Sequence, residues 1–197
     1  MSFIVTYDGS ELSMAAPQPG AVTALDIAWS LAQTNRFSGR CVRPYSVAEH
    51  CLLVCEIAEQ ELDLDLHGQL LALMHDAHEA YSGDMHTPGK EYIGQPWRQW
   101  EHHWERLVHR CFALVTAHAV QGVKVKQADL IALATEKRDL MQNSPTPWPV
   151  LAGIDPYPYV NLRSDERCHM TWEDWRDRWL DKYHDLDYAR NERAGLL

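Results

Sequence analysis

In the stretch HDAHEAYSGDMHTPGK, residues 75–90, four of the first five side chains can bind a metal or move a proton. They follow LHGQLLAL, which has the look of a buried helix. Glu79 stands four residues after His75 and three after Asp76, so on a helix it shares a face with both. A carboxylate so placed can hold or deprotonate a water. His75 and Asp76 are adjacent, and on a helix their side chains diverge by about 100°. They meet at one point only where the helix ends at a cavity. Two other polar residues fall on apolar stripes: His50, one turn before Leu53, Val54 and Ile57, and Asp129, four before Leu133. An unpaired buried carboxylate is costly. One divalent cation would satisfy His50, His75, Asp76 and Asp129 together. Imidazole with carboxylate suits zinc, cobalt, manganese or iron better than magnesium.

The elements that must position these groups read as helical nearly throughout. Residues 1–22 form an irregular arm, with FIVTY its one strand-like run. TALDIAWSLAQT places Leu25, Ala28, Leu31 and Ala32 at helical spacing. A loop, NRFSGRCVRP, precedes Ser46, and Ser46 with Glu49 makes a capping box. The helix it opens turns Val47, Leu53, Val54 and Ile57 inward. The next helix spans about 66–81 and stops at Gly83. A loop through Pro88 and Pro96 leads to a tryptophan-rich helix that Gly122 breaks. The helix after it carries Leu130, Leu133, Ala134 and Met141 for burial. Residues 144–165 are a proline-rich surface excursion, and Thr171 caps a final helix. The expected fold is all-α, one domain over residues 1–197.

Bulk properties narrow the function. A net charge of −10 argues against general affinity for nucleic-acid polymers or anionic membranes. No run approaches the roughly 18 apolar residues of a membrane span, and MSFIVTYDGSELSM does not resemble a signal peptide. Five cysteines without a C-x-x-C pair suggest reduced thiols and a cytoplasmic protein.

The order N-R-F, S-V-A-E-H, H-D-A-x-E, G-D, T-P-x-K and A-D resembles the HD-domain metal-dependent phosphohydrolases. It is similar in particular to bacterial 5′-deoxynucleotidases and to phage dATP triphosphohydrolases, and the likeness covers most of residues 5–185. The resemblance implies a helical HD-domain bundle with one divalent transition metal on His50, His75, Asp76 and Asp129. It implies that Glu79 acts on the attacking water and Asp84 assists the leaving oxygen or positions the sugar. It gives Arg36 and Lys90 to the phosphate, and Phe37 to packing on deoxyribose. The expected activity is hydrolysis of deoxynucleoside 5′-monophosphates to deoxynucleoside and phosphate. Release of triphosphate from a dNTP is the alternative, and a non-catalytic nucleotide sensor is a second; alarmone hydrolysis lacks its longer motif set.

Other polar residues stay outside this assignment. His78 is expected to face away from the metal, and His86 either touches the base or caps its loop. His102 and His109 share a face, as a second metal would need, but no carboxylate motif of known spacing accompanies them and no second metal is expected there. Glu136, Lys137, Arg138 and Asp139 read as a mostly solvated cluster, with Lys137 or Arg138 the ones to approach a polyphosphate. The stripes Trp97, Trp100, Trp104 and Trp172, Trp175, Trp179 read as core or as the interface of a homo-oligomer.

Overall fold

A computed structural model of the chain describes residues 3–143 and 145–195. Among these residues the all-α expectation holds, with nine α-helices and one two-stranded sheet. The sheet gives the N-terminal arm more order than its sequence suggests. Strand β1 (Phe3–Val5) runs antiparallel to β2 (Glu11–Ser13), with Ile4 opposite Leu12, and buried Leu12 ties the hairpin to the core.

Helix α1 (Ala24–Gln33) starts at Thr23, whose hydroxyl accepts from the Asp26 amide. It buries Ile27, Ala28, Leu31 and Ala32, while Leu25 is exposed, so the apolar face is centred one position away from the expected one. Helix α2 (Val47–Gln60) is the hub and packs against α1, α3 (Leu66–Leu73), α7 (Val115–Leu140) and α9 (Trp172–Arg193). A helix covered on several sides must be apolar around most of its girth. Val47, Leu53, Val54 and Ile57 are buried as expected, joined by Ala48, Cys51 and Cys55. Trp175 and Trp179 of α9 complete that core. In α6 (Gln95–Cys111), Trp104 is fully buried and stacks on Tyr81 of α4 (Glu79–Ser82), their ring centroids 4.9 Å apart.

Three boundaries differ from expectation. The α-helix that begins at Leu66 ends at Leu73, and residues 74–78 are turns before α4 begins. The proline- and glycine-containing stretch after Gly83 includes a helix, α5 (Thr87–Ile93). Gly122 does not break a helix but lies inside α7; the break falls at 112–114, where Ala113 takes a φ of +54°. The proline-rich excursion, whose residue 144 lies outside the described residues, is anchored by buried Tyr157 and Leu162 before α8 (Asp165–His169).

Only half of the expected capping box forms. Ser46 accepts from the Glu49 amide, but the Glu49 carboxylate is fully buried and receives Arg43 at 2.6 and 2.8 Å and Arg167 at 2.9 Å. This joins the start of α2 to α8 across the chain. Removing one partner of a buried ion pair leaves charge without compensation, at a cost of about 3–5 kcal/mol. Glu49→Ala is therefore expected to lower the urea midpoint by that much stability; a loss below about 1 kcal/mol would mean that the two arginines find water instead.

Candidate metal centre

His50 projects from the first turn of α2, and His75 and Asp76 from the turns that follow α3. Their placement depends on the early end of α3. Backbone bonds from Ala77 to Met74 and from Glu79 to Asp76 are i to i+3, tighter than an α-helix. In that tighter path the two adjacent side chains converge: His75 Nε2 is 3.2 Å from Asp76 Oδ2. His50 Nε2 is 3.1 Å from His75 Nε2, 3.5 Å from Asp76 Oδ2 and 3.3 Å from Asp129 Oδ1. Asp129, from the middle of α7, also lies 3.9 Å from His75 Nε2. Ligands sharing one ion at about 2.1 Å stand roughly 3.0–3.4 Å apart in tetrahedral or octahedral order. His50, His75 and Asp76 form a group that could hold such an ion, and Asp129 stands beside it, close to His50 and His75 while its Oδ2 accepts from Lys126 at 2.6 Å.

Hydrogen bonding on the far sides of the rings supports the fit. His75 Nδ1 donates to the Ala72 carbonyl at 2.8 Å, so that nitrogen carries a hydrogen. His50 Nδ1 lies 2.6 Å from Glu136 Oε1, with both side chains fully buried. Neutral rings held this way turn two Nε2 lone pairs at each other, which is repulsive unless a proton or a cation sits between. Burial pulls the His75 pKa down, but Asp76 beside it overcomes this and pushes it up to about 10. The Asp129 carboxyl, which burial would raise, is held far below its usual range by His50 and His75. The cluster demands positive charge, and a metal ion would displace its protons.

The remaining expected residues surround this point. Glu79 is 4% exposed, and its Oε2 has no hydrogen-bond partner among the described residues. Burial, then Asp76 and Asp84, push its carboxyl well above the usual range. Gly83, at a φ of +84°, turns the chain after α4, and half-buried Asp84 follows it. Asp84 is also raised, first by burial. Arg36 spans Asp76 at 3.4 Å and Glu136 at 3.3 Å, with its buried Nε unpartnered. Phe37 lies beneath that guanidinium at 5.4 Å, and its ring is 6.2 Å from Trp148. Lys90, on α5, pairs with Glu101 of α6 and stands 3.9 Å from Glu79 Oε1. A cavity of about 340 Å³ opens here, lined among others by His75, Asp76, Asp129, His78, Lys90 and Glu101.

No family model matches the chain. The uncharacterized protein YfdR of Escherichia coli (strain K12) is 36% identical to it over 154 residues, which span 78% of the chain and 81% of YfdR. The chain belongs to the YfdR family. A further relative, the uncharacterized protein RCAP_rcc00048 of Rhodobacter capsulatus, is 34% identical over 136 residues, 67% of the chain and 69% of its own length.

In this member of the YfdR family, several site residues escape a reading by spacing. Glu136 belongs to the centre, not to a solvated face: it is fully buried against His50 and Arg36. Its signal was present, because it lies seven residues after Asp129, two turns along one helix face. Its neighbours do other work. Lys137 sits 5.3 Å over the Trp148 ring, and Arg138 donates to the carbonyls of Tyr157 and Val160. Glu101 has no motif to announce it. His78 is buried and lines the cavity rather than facing away. His86 is exposed and accepts from the Gly89 amide, so it caps α5. Among the described residues no helix is long and apolar enough to cross a membrane.

Proposed function

We propose that the chain is an HD-domain, metal-dependent phosphohydrolase that converts deoxynucleoside 5′-monophosphates to deoxynucleoside and phosphate. The observation that carries this reading is the meeting of His50, His75, Asp76 and Asp129 beside buried Glu79, whose Oε2 has no hydrogen-bond partner among the described residues. When bound, a divalent transition ion supplies Lewis-acid polarisation of a phosphate oxygen and makes water acidic enough to react near neutral pH. Glu79 orients the attacking water and takes its proton. A carboxyl raised by burial is a suitable base near neutrality. As the water oxygen bonds to phosphorus, the bond to the sugar oxygen breaks, and Asp84 returns a proton to that oxygen. Arg36 and Lys90 hold non-bridging oxygens, with Arg36 Nε a donor still lacking an acceptor. Phe37, next to Arg36, packs on the deoxyribose and leaves no polar partner for a 2′-hydroxyl.

Hydrolysis of dNTPs with release of triphosphate is the second reading. It is favoured by the residues of α6 and α7 that also line the cavity, the cation Lys126 among them. The two readings separate in one assay. Protein loaded with cobalt, manganese or zinc is incubated with each dNMP, dNTP and rNTP, and the products are identified. Orthophosphate from dNMPs supports the first reading and triphosphate from dNTPs the second. No phosphate or polyphosphate from any nucleotide would remove both.

A further inference from the structure

We propose that Glu105, His109 and His118 form a second divalent-cation site, on the wall of the same cavity and separate from the His50 centre. Glu105 and His109 are one turn apart on α6, so both leave the same helix face. His118 meets them from the first turn of α7, after the helix break where Ala113 takes a positive φ. One ligand atom from each residue lies within 4.8 Å of the others, and the two imidazole centroids are 4.7 Å apart at 65°. All three line the cavity that His75, Asp76 and Asp129 also line.

The chemistry of the set points to a cation. His109 is 7% exposed and its ring meets that of His118 edge to face, so the two imidazoles converge at the cavity wall. Two imidazoles and one carboxylate suit zinc, cobalt, manganese or iron. The cluster around His78, Glu79 and Glu101 differs, because the Lys90 ammonium already serves it. Glu105 is paired with exposed His102 at 3.3 Å, and nearby Lys126 is engaged by Asp129.

Gly122 is the second observation. Glycine inside a helix weakens it, yet this one sits within the 26-residue α7 and on the cavity wall. A Cβ there would stand 3.3 Å from His118 Cδ2 and 3.5 Å from its Nε2. The absent side chain gives the His118 ring room to turn toward Glu105 and His109, and keeps that end of the cavity open.

The test counts ions. Metal-stripped full-length protein is titrated with Zn²⁺ or Co²⁺ and read by calorimetry and elemental analysis. Wild type is expected to take up two ions per chain. His118→Ala and His109→Gln are each expected to take up one while keeping the melting temperature of stripped wild type. His50→Ala should also take up one, and the double variant His50→Ala/His118→Ala none. One ion in wild type, or two in His118→Ala, overturns the proposal. His118 is exposed, so its variant tests the site even if His109→Gln fails to fold. Two ions in a protein that hydrolyses no nucleotide would remove the proposed function and leave this site standing.

Discussion

Glu79→Gln is expected to lower kcat by about 10²–10⁴-fold, the usual contribution of a positioned general base, while metal content stays at the wild-type level. The side chain is not one of the four expected ligands, and the amide keeps its volume but cannot accept a proton from water. Stability should move in the opposite direction. The folded-state pKa of Glu79 is raised, by burial first and then by Asp76 and Asp84. A raised acid adds no cost below the unfolded value near 4.5, and its ionised form opposes folding increasingly as pH passes that value toward the folded one. In metal-free protein above pH 5, Glu79→Gln should therefore melt at a higher temperature than wild type, and the difference should vanish in acid. Loss of turnover with gain of stability is the signature of a residue strained for chemistry. A variant that keeps full turnover would remove Glu79 from the mechanism. One that loses its metal would place it among the ligands.

How much of this was legible in the sequence follows from what each residue contrasts with. His50 stands out because Leu53, Val54 and Ile57 surround it, and polar groups on an apolar stripe ask for a partner. Asp129 was found through Leu133, but the buried face of α7 runs through Ala128, Ala132, Thr135, Glu136 and Leu140. Alanine lets α7 approach α2 and α3 closely, and a search for large apolar residues shifts that face by one position. The same shift hid Glu136, whose charged neighbours Lys137 and Arg138 made it look like surface. Helix ends were illegible where backbone geometry overrode composition. Ala113 takes a left-handed φ without being glycine, whereas Gly122 continues a helix because a ring, not a turn, needs its space. The tryptophan stripes pointed to burial, and Trp104, Trp175 and Trp179 are covered by the chain's own core. Of the cavity-wall residues, Glu101 and Glu105 come from α6 and His118 from α7, so no spacing within one helix brings all three together.

Glu136→Ala tests the residue that links these levels. It is expected to weaken metal binding by about 10–100-fold, the typical effect of removing a carboxylate behind a ligating histidine. Two causes act together. The His50 ring loses the acceptor at 2.6 Å that holds its Nδ1 hydrogen and aims Nε2 at Asp129 and His75. Arg36 loses one of its two carboxylates and swings toward Asp76, itself an expected ligand. Because the Arg36 guanidinium is left buried with reduced compensation, folding stability should also fall by about 3 kcal/mol. Glu136→Gln separates the causes. Its amide oxygen still accepts from His50 Nδ1, so ring orientation survives while the charge facing Arg36 is gone. Metal affinity should fall less in Glu136→Gln than in Glu136→Ala, whereas stability should fall in both. Equilibrium dialysis against a competing chelator and urea unfolding of the stripped protein read the two effects independently. Wild-type affinity in Glu136→Ala would show that His50 is oriented by packing within α2 alone, and that the buried glutamate serves only Arg36.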